Sequence, residues 1–194
     1  MIGCNQNQDS FLTYGQMNLI NDFRAHWTEF GIWARSYMVS TITGFSNLDS
    51  ISNRLYRIPK ELGEMFEPYF GVEISEQFQQ LLLLYVVHVQ TLITAINSRD
   101  QQAADAAAVM LYKSSDDIAD FLARINPYWN KSQWQSLFNN MNEMIISEMI
   151  AILSGEYEKE LDIRDRIFRH SLIMGDYMAS GVIKYLVPDK APGE

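Results

Sequence analysis

Apolar side chains recur every three or four residues along most of this chain, and no window alternates apolar and polar positions for long, so the pattern predicts helices throughout and no sheet. A first helix is predicted from about Gln16 to Phe45, with Leu19, Phe23, His26, Phe30, Trp33 and Tyr37 on one face and Met17, Ile20, Trp27, Ala34 and Met38 on the next. Apolar residues over so much of its circumference mark a largely buried helix. A shorter helix starts near Asn47 or Asp49, and Pro59 opens another at its favoured first-turn position, so 47–71 reads as a short helical connector folded across one end. Glu73 to Arg99 forms the second long helix, with Phe78, Leu81, Leu82, Tyr85, Val89, Leu92 and Ile96 in register. Asp100 caps a third long helix that begins with the alanine-rich run 103–108 and carries Leu111, Ile118, Leu122 and Ile125. A fourth runs from about Trp134 to Leu153, Ser154-Gly155 is the expected hinge, and Glu156 to Leu186 is the fifth, with Gly175 and Gly181 permitting close helix contact.

The sharpest punctuation lies between Ser114 and Trp134. Asn126-Pro127 stops one helix, because proline disfavours helical geometry at the residue before it and has no N–H to donate. Asn130-Lys-Ser-Gln133 then has the spacing of a capping box and starts the next. So short a turn makes the two helices antiparallel neighbours, with Tyr128, Trp129 and Trp134 as the apolar plug of that bundle end. The expected fold is therefore all-α: an antiparallel bundle of four or five long helices with a short helical connector, in one domain spanning 15–187. Residues 1–14 are expected to be a flexible N-terminal segment and 188–194 a tail.

With 194 residues the chain can bury a sizeable core without staples, and its single cysteine, Cys4, forms no intramolecular disulfide and suits a reducing cytoplasm. A formal charge of −9 opposes binding to nucleic-acid phosphates and to anionic lipid surfaces. The longest strictly apolar run, Leu81 to Val87, is far below the ~20 residues that span a bilayer, so neither nucleic acid nor membrane is an expected partner.

No glycine-rich phosphate loop, nucleophile elbow or paired cysteines are found, which excludes the strong sequence signatures of kinases and serine hydrolases. The Glu-x-x-His repeat of di-iron bundles fails as well, since Phe23, Tyr85 and Ile167 stand three residues before the three histidines. What remains for a divalent metal or small ligand is a loose set: His26, Glu29, His88, Asp117, Glu148, Asp165, His170 and Asp176. Each has a structural alternative, as a cap, a surface ion pair or a satisfied core group. Glu29 and Arg35 are charges on a largely buried helix and need partners, which makes Arg35 a candidate buried charge partner. Asp116, Asp117 and Asp120 fit an ion-paired helix face through Lys113–Asp117 and Asp120–Arg124.

Asp116-Asp-Ile-Ala-Asp-Phe-Leu, Asn126-Pro-Tyr-Trp129, Trp134, Trp33-Ala-Arg35, Pro68-Tyr-Phe-Gly71 and Asp176-Tyr-Met with Gly181-Val-Ile-Lys184 resemble a family of small all-helical bacterial proteins of unknown function. Its members, common in spore-forming Gram-positives, are frequently labelled acetylglutamate kinase. The resemblance implies a helical bundle covering about residues 20–187 and implies histidines near Phe30, Tyr85 and Met141, all three of which are absent here. If relatives hold a metal there, His26 and His88 are the nearest replacements, one turn away. The kinase label has no counterpart in these residues. No catalytic residue or cofactor is expected. The favoured reading is a non-catalytic cytoplasmic protein acting through an unknown protein partner or self-association, with a ferritin-like metal- or small-ligand-binding bundle as the alternative.

Overall fold

The computed structural model describes residues 12–187, so the expectations for residues 1–11 and 188–194 lie outside the described residues. Within them the chain is all-α, with six helices: α1 (Tyr14–Thr43), α2 (Leu48–Phe70), α3 (Val72–Asn97), α4 (Gln101–Ile125), α5 (Lys131–Leu153) and α6 (Tyr157–Leu186). The ends follow side-chain chemistry. Thr13 and Gln16 make a reciprocal capping box on α1, and Gly44 ends it in the left-handed conformation (φ 65°). Asp100 caps α4 by accepting from the Ala103 N–H at 3.0 Å. Asn130 caps α5 through the Gln133 N–H at 3.2 Å. The other half of that box is taken over, because the Asn130 N–H donates to the Tyr177 hydroxyl at 2.7 Å instead.

The connector is the largest departure from expectation. Residues 48–70 form one continuous helix through Pro59, not two short ones. Proline there removes one ladder bond, at a cost of ~3 kcal/mol in an isolated helix. The apolar stripe Ile51, Leu55, Ile58, Leu62 and Phe66 keeps its register on both sides and is fully buried, which offsets that cost. With α2 counted as a full helix, the bundle has six long members. The break at Ser154-Gly155 is real: Gly155 is left-handed at φ 71° and α6 starts two residues later.

Cross-helix pairs define the topology. Arg24 meets Asp176 and Arg35 meets Glu160, so α1 and α6 are antiparallel. Phe30 meets Tyr85 and Tyr37 meets Thr94, whereas Trp27 meets Phe138 and Arg35 meets Glu148, so α1, α3 and α5 run parallel to one another. Each even-numbered helix packs in the reverse direction between two odd ones, and α6 returns to α1 to close a ring. At Gly175 this closure brings backbones together: a Cβ there would lie 2.6 Å from the Arg24 nitrogen.

The odd helices converge on a centre filled by Trp27, Phe30, Tyr85 and Phe138. One polar chain crosses it. Tyr85 Oη donates to Asn142 Oδ1 (2.8 Å), Asn142 Nδ2 to Ser115 Oγ (2.9 Å), and Ser115 Oγ to the Leu111 carbonyl (3.1 Å), tying α3, α5 and α4. Burial raises the Tyr85 phenol well above its ordinary range, so it stays a neutral donor. α3 is long and apolar enough to cross a membrane by length and composition, but close to half of its apolar stretch is spent on this core.

Candidate functional site

The eight sequence candidates disperse. His26 donates through Nδ1 to the Asp22 carbonyl at 2.8 Å, inside its own helix. Glu29 pairs with Arg54, which also reaches Glu61 (3.1 Å) and lies over the Trp33 ring. His88 contacts Ser114 Oγ at 3.0 Å through Nδ1, and since the Ser114 hydroxyl donates to the Leu111 carbonyl, the histidine nitrogen is the donor. Asp117 pairs with Lys113 (2.7 Å) and Asp176 with Arg24 (2.5 and 3.0 Å), while Asp165 is exposed. His170 donates through Nε2 to the Leu137 carbonyl at 2.8 Å. Burial lowers the pKa of both His88 and His170, so each is a neutral imidazole near pH 7.

Among the described residues no three His, Cys, Asp or Glu side chains group as a metal ion requires. His26 and His88 engage different elements and do not reconstitute a shared site. Phe30 and Tyr85, two of the positions where the resemblance implies histidine, pack ring against ring at 5.6 Å, and Met141 is fully buried. The acidic face of α4 is ion-paired as expected but with one exchange of partners. Asp120 takes Lys131 at 2.6 Å, and Arg124 lies over the Phe121 ring instead.

Only one candidate joins others in the interior. Glu148 on α5 is 1 % exposed, and its Oε1 lies 3.6 Å from Arg164 Nη1 and 3.9 Å from Arg35 Nε. These distances make ion pairs without a hydrogen bond, so Oε1 is buried and unsatisfied. Arg35 instead commits its Nε to Glu160, 2 % exposed, at 2.6 Å, and Arg164 donates to the Gly31 carbonyl at 2.7 Å. Two arginines and two glutamates thus fasten α1, α5 and α6 where they meet. Desolvation pushes the Glu148 carboxyl up to about 7; Arg164 and Arg35 pull it down and Glu160 adds to the rise.

The Glu148 carboxyl is buried behind Arg35 and Arg164, and its contribution to stability depends on pH. The raised pKa means that the folded chain binds the proton more tightly than the unfolded one. The stabilisation is therefore complete below the unfolded value near 4.5 and is lost as pH rises to about 7. Glu148→Gln mimics the protonated form. Its stability relative to wild type is expected to rise by up to ~3 kcal/mol between pH 5 and pH 8, as urea unfolding at several pH values would show. Parallel pH profiles for the two proteins would refute the assignment.

Sequence reasoning missed Glu160 and Arg164, which sit in the charged opening of α6. The signal was present: Glu160 is three and seven residues before Ile163 and Ile167, on the same buried stripe. Comparison with protein-family models, with curated proteins and with solved structures yields no match.

The most distinctive open surface is on α3. Gln80, Leu83, Leu84, Val87, Thr91 and Thr94 form one exposed face, and α3 carries no Asp, Glu, Lys or Arg from Gln77 to its end. Tyr56 of α2 borders it, holding Gln90 by a 2.7 Å hydrogen bond.

Proposed function

We propose that this protein is a non-catalytic, self-associating helical bundle whose contact is the outward face of α3, packed against the same face of a second copy. The observation that carries the reading is the uncharged strip from Gln80 to Thr94, about 20 Å long at 1.5 Å per residue, with an apolar centre at Leu83, Leu84 and Val87. Leu83, Leu84 and Val87 are each more than a third exposed there. A second copy fits for an electrostatic reason. Two chains of charge −9 repel, so a contact between copies needs a face free of carboxylates, and α3 has no charged residue from Gln77 to its end. A two-fold axis between Leu84 and Val87 would make the strip self-complementary. The dispersal of metal donors favours this over a ferritin-like site, and the absence of any strand among the described residues argues against a nucleotide kinase. The resemblance to small helical bacterial proteins accords with this reading, since the residues carrying it, Trp129, Trp134 and Gly181 among them, serve packing here.

Sedimentation velocity over a concentration series is the test. Wild type is expected to dimerise, and Leu84→Lys, at a position already 44 % exposed, is expected to weaken the dimer by more than about tenfold without unfolding it. A wild type that stays monomeric at all concentrations, or a Leu84→Lys dimer of unchanged affinity, would end the proposal.

A further inference from the structure

A groove of about 410 Å³ runs between α5 and α6 on a different face of the bundle from the α3 strip, and lies within the size range of small-ligand sites. Its wall carries Arg166 and Arg169, one turn apart on α6, with Met144 and Ile163 as buried apolar floor. Both arginines have a carboxylate four residues earlier, Asp162 and Asp165, at the spacing that normally forms helix ion pairs. Neither pair is made: among the described residues neither arginine has an acidic group within 4 Å, although α6 makes such contacts through Lys159 and Arg164. In a chain of net charge −9, two neighbouring guanidinium groups without acidic partners face one cavity.

The other polar groups narrow the occupant. His170 spends its Nε2 proton on Leu137, so the neutral ring keeps Nδ1 as an acceptor and adds no positive charge. Glu143 stands on the α5 side, giving the groove a net charge of +1 from two arginines and one glutamate. A dianionic phosphate ester overshoots that charge, whereas a carboxylate matches it and fits the planar guanidinium fork. We infer that the α5–α6 groove binds a small organic monocarboxylate, its carboxylate on Arg166 and Arg169 and its apolar body on Met144 and Ile163.

The test is titration of the full chain with phenylacetate, followed by amide chemical shifts, with acetate and inorganic phosphate as comparison probes. Saturable shifts confined to α5 and α6 are expected, with phenylacetate binding more tightly than acetate or phosphate. Arg166→Gln/Arg169→Gln is expected to weaken binding by about tenfold or more, and Glu143→Gln to tighten it. All three side chains are exposed, so these variants keep the fold, which circular dichroism checks. The inference is overturned by shifts that do not saturate, by equal affinity for acetate or phosphate, or by an unchanged affinity in the double arginine variant. None of these outcomes bears on the α3 dimer, which is read by sedimentation.

Discussion

Arg164→Met is expected to destabilise the bundle by about 3–5 kcal/mol, the usual cost of removing one partner from a buried ion pair. Arg164 serves two acceptors, the Glu148 carboxylate at 3.6 Å and the Gly31 carbonyl at 2.7 Å. Methionine fills much of the volume but leaves Glu148 with Arg35 alone, at 3.9 Å, and Arg35 is already committed to Glu160. Because Glu148 can escape by taking up a proton, and losing Arg164 raises its pKa further, the loss should shrink as pH falls toward about 7 and level off below it. Adding Glu148→Gln to Arg164→Met should recover part of the loss, since the uncompensated charge is then gone. Urea unfolding of the four members of this cycle measures the coupling. A loss under about 1 kcal/mol at pH 8, or no recovery in the double variant, would show that the quartet contributes little.

Trp129→Ala is expected to cost a similar ~3–5 kcal/mol, the range for truncating a fully buried aromatic side chain. Trp129 is 2 % exposed and stacks on Phe66, meets Trp134 edge-on, and donates from Nε1 to the Tyr177 carbonyl at 3.2 Å. Its ring occupies the space a side chain at 181 would need: a Cβ on Gly181 would come within 1.8 Å of Nε1. The two positions are therefore coupled with a change of sign. In wild type, Gly181→Ala forces a rigid ring to move and should destabilise. In the Trp129→Ala background the same change meets a cavity and should stabilise, by up to ~1 kcal/mol from helix propensity alone. Thermal denaturation of the single and double variants decides it, and additive effects would refute the packing account.

Legibility in the sequence followed the range of the interaction. The all-α class, the caps at Asp100 and Asn130 and the break at Gly155 depend on residues within four positions of one another, and the periodicity reveals them. Pro59 misled because a local penalty is visible in sequence, whereas the burial of Ile51 to Phe66 that outweighs it depends on α1 and α3. Asn130 misled in a smaller way, its N–H being claimed by Tyr177, 47 residues away. The same limit governed the interior charges. Arg35 and Glu148 stand out as charges among apolar neighbours, but that they meet, and that Glu160 and Arg164 complete them, follows only from how three helices are arranged. The groove arginines were invisible for the opposite reason: their i,i+4 acids make them look paired until the side chains are placed.

Because α6 returns to α1, α1 is synthesised well before its main partner and waits for it through the four helices between them, and the Arg24–Asp176 pair spans 152 positions. A nascent chain lacking α6 leaves the face of α1 around Phe23 and Gly31, which packs on Gly175 and Ile167, without the cover that α6 supplies, a state that invites aggregation or chaperone capture. The same closure places the start of α1 and the end of α6 at one end of the bundle, so a short linker could join them. A chain reopened between Asn97 and Gln101 would then make α1 and α6 sequence neighbours, shortening the longest loop that folding must close.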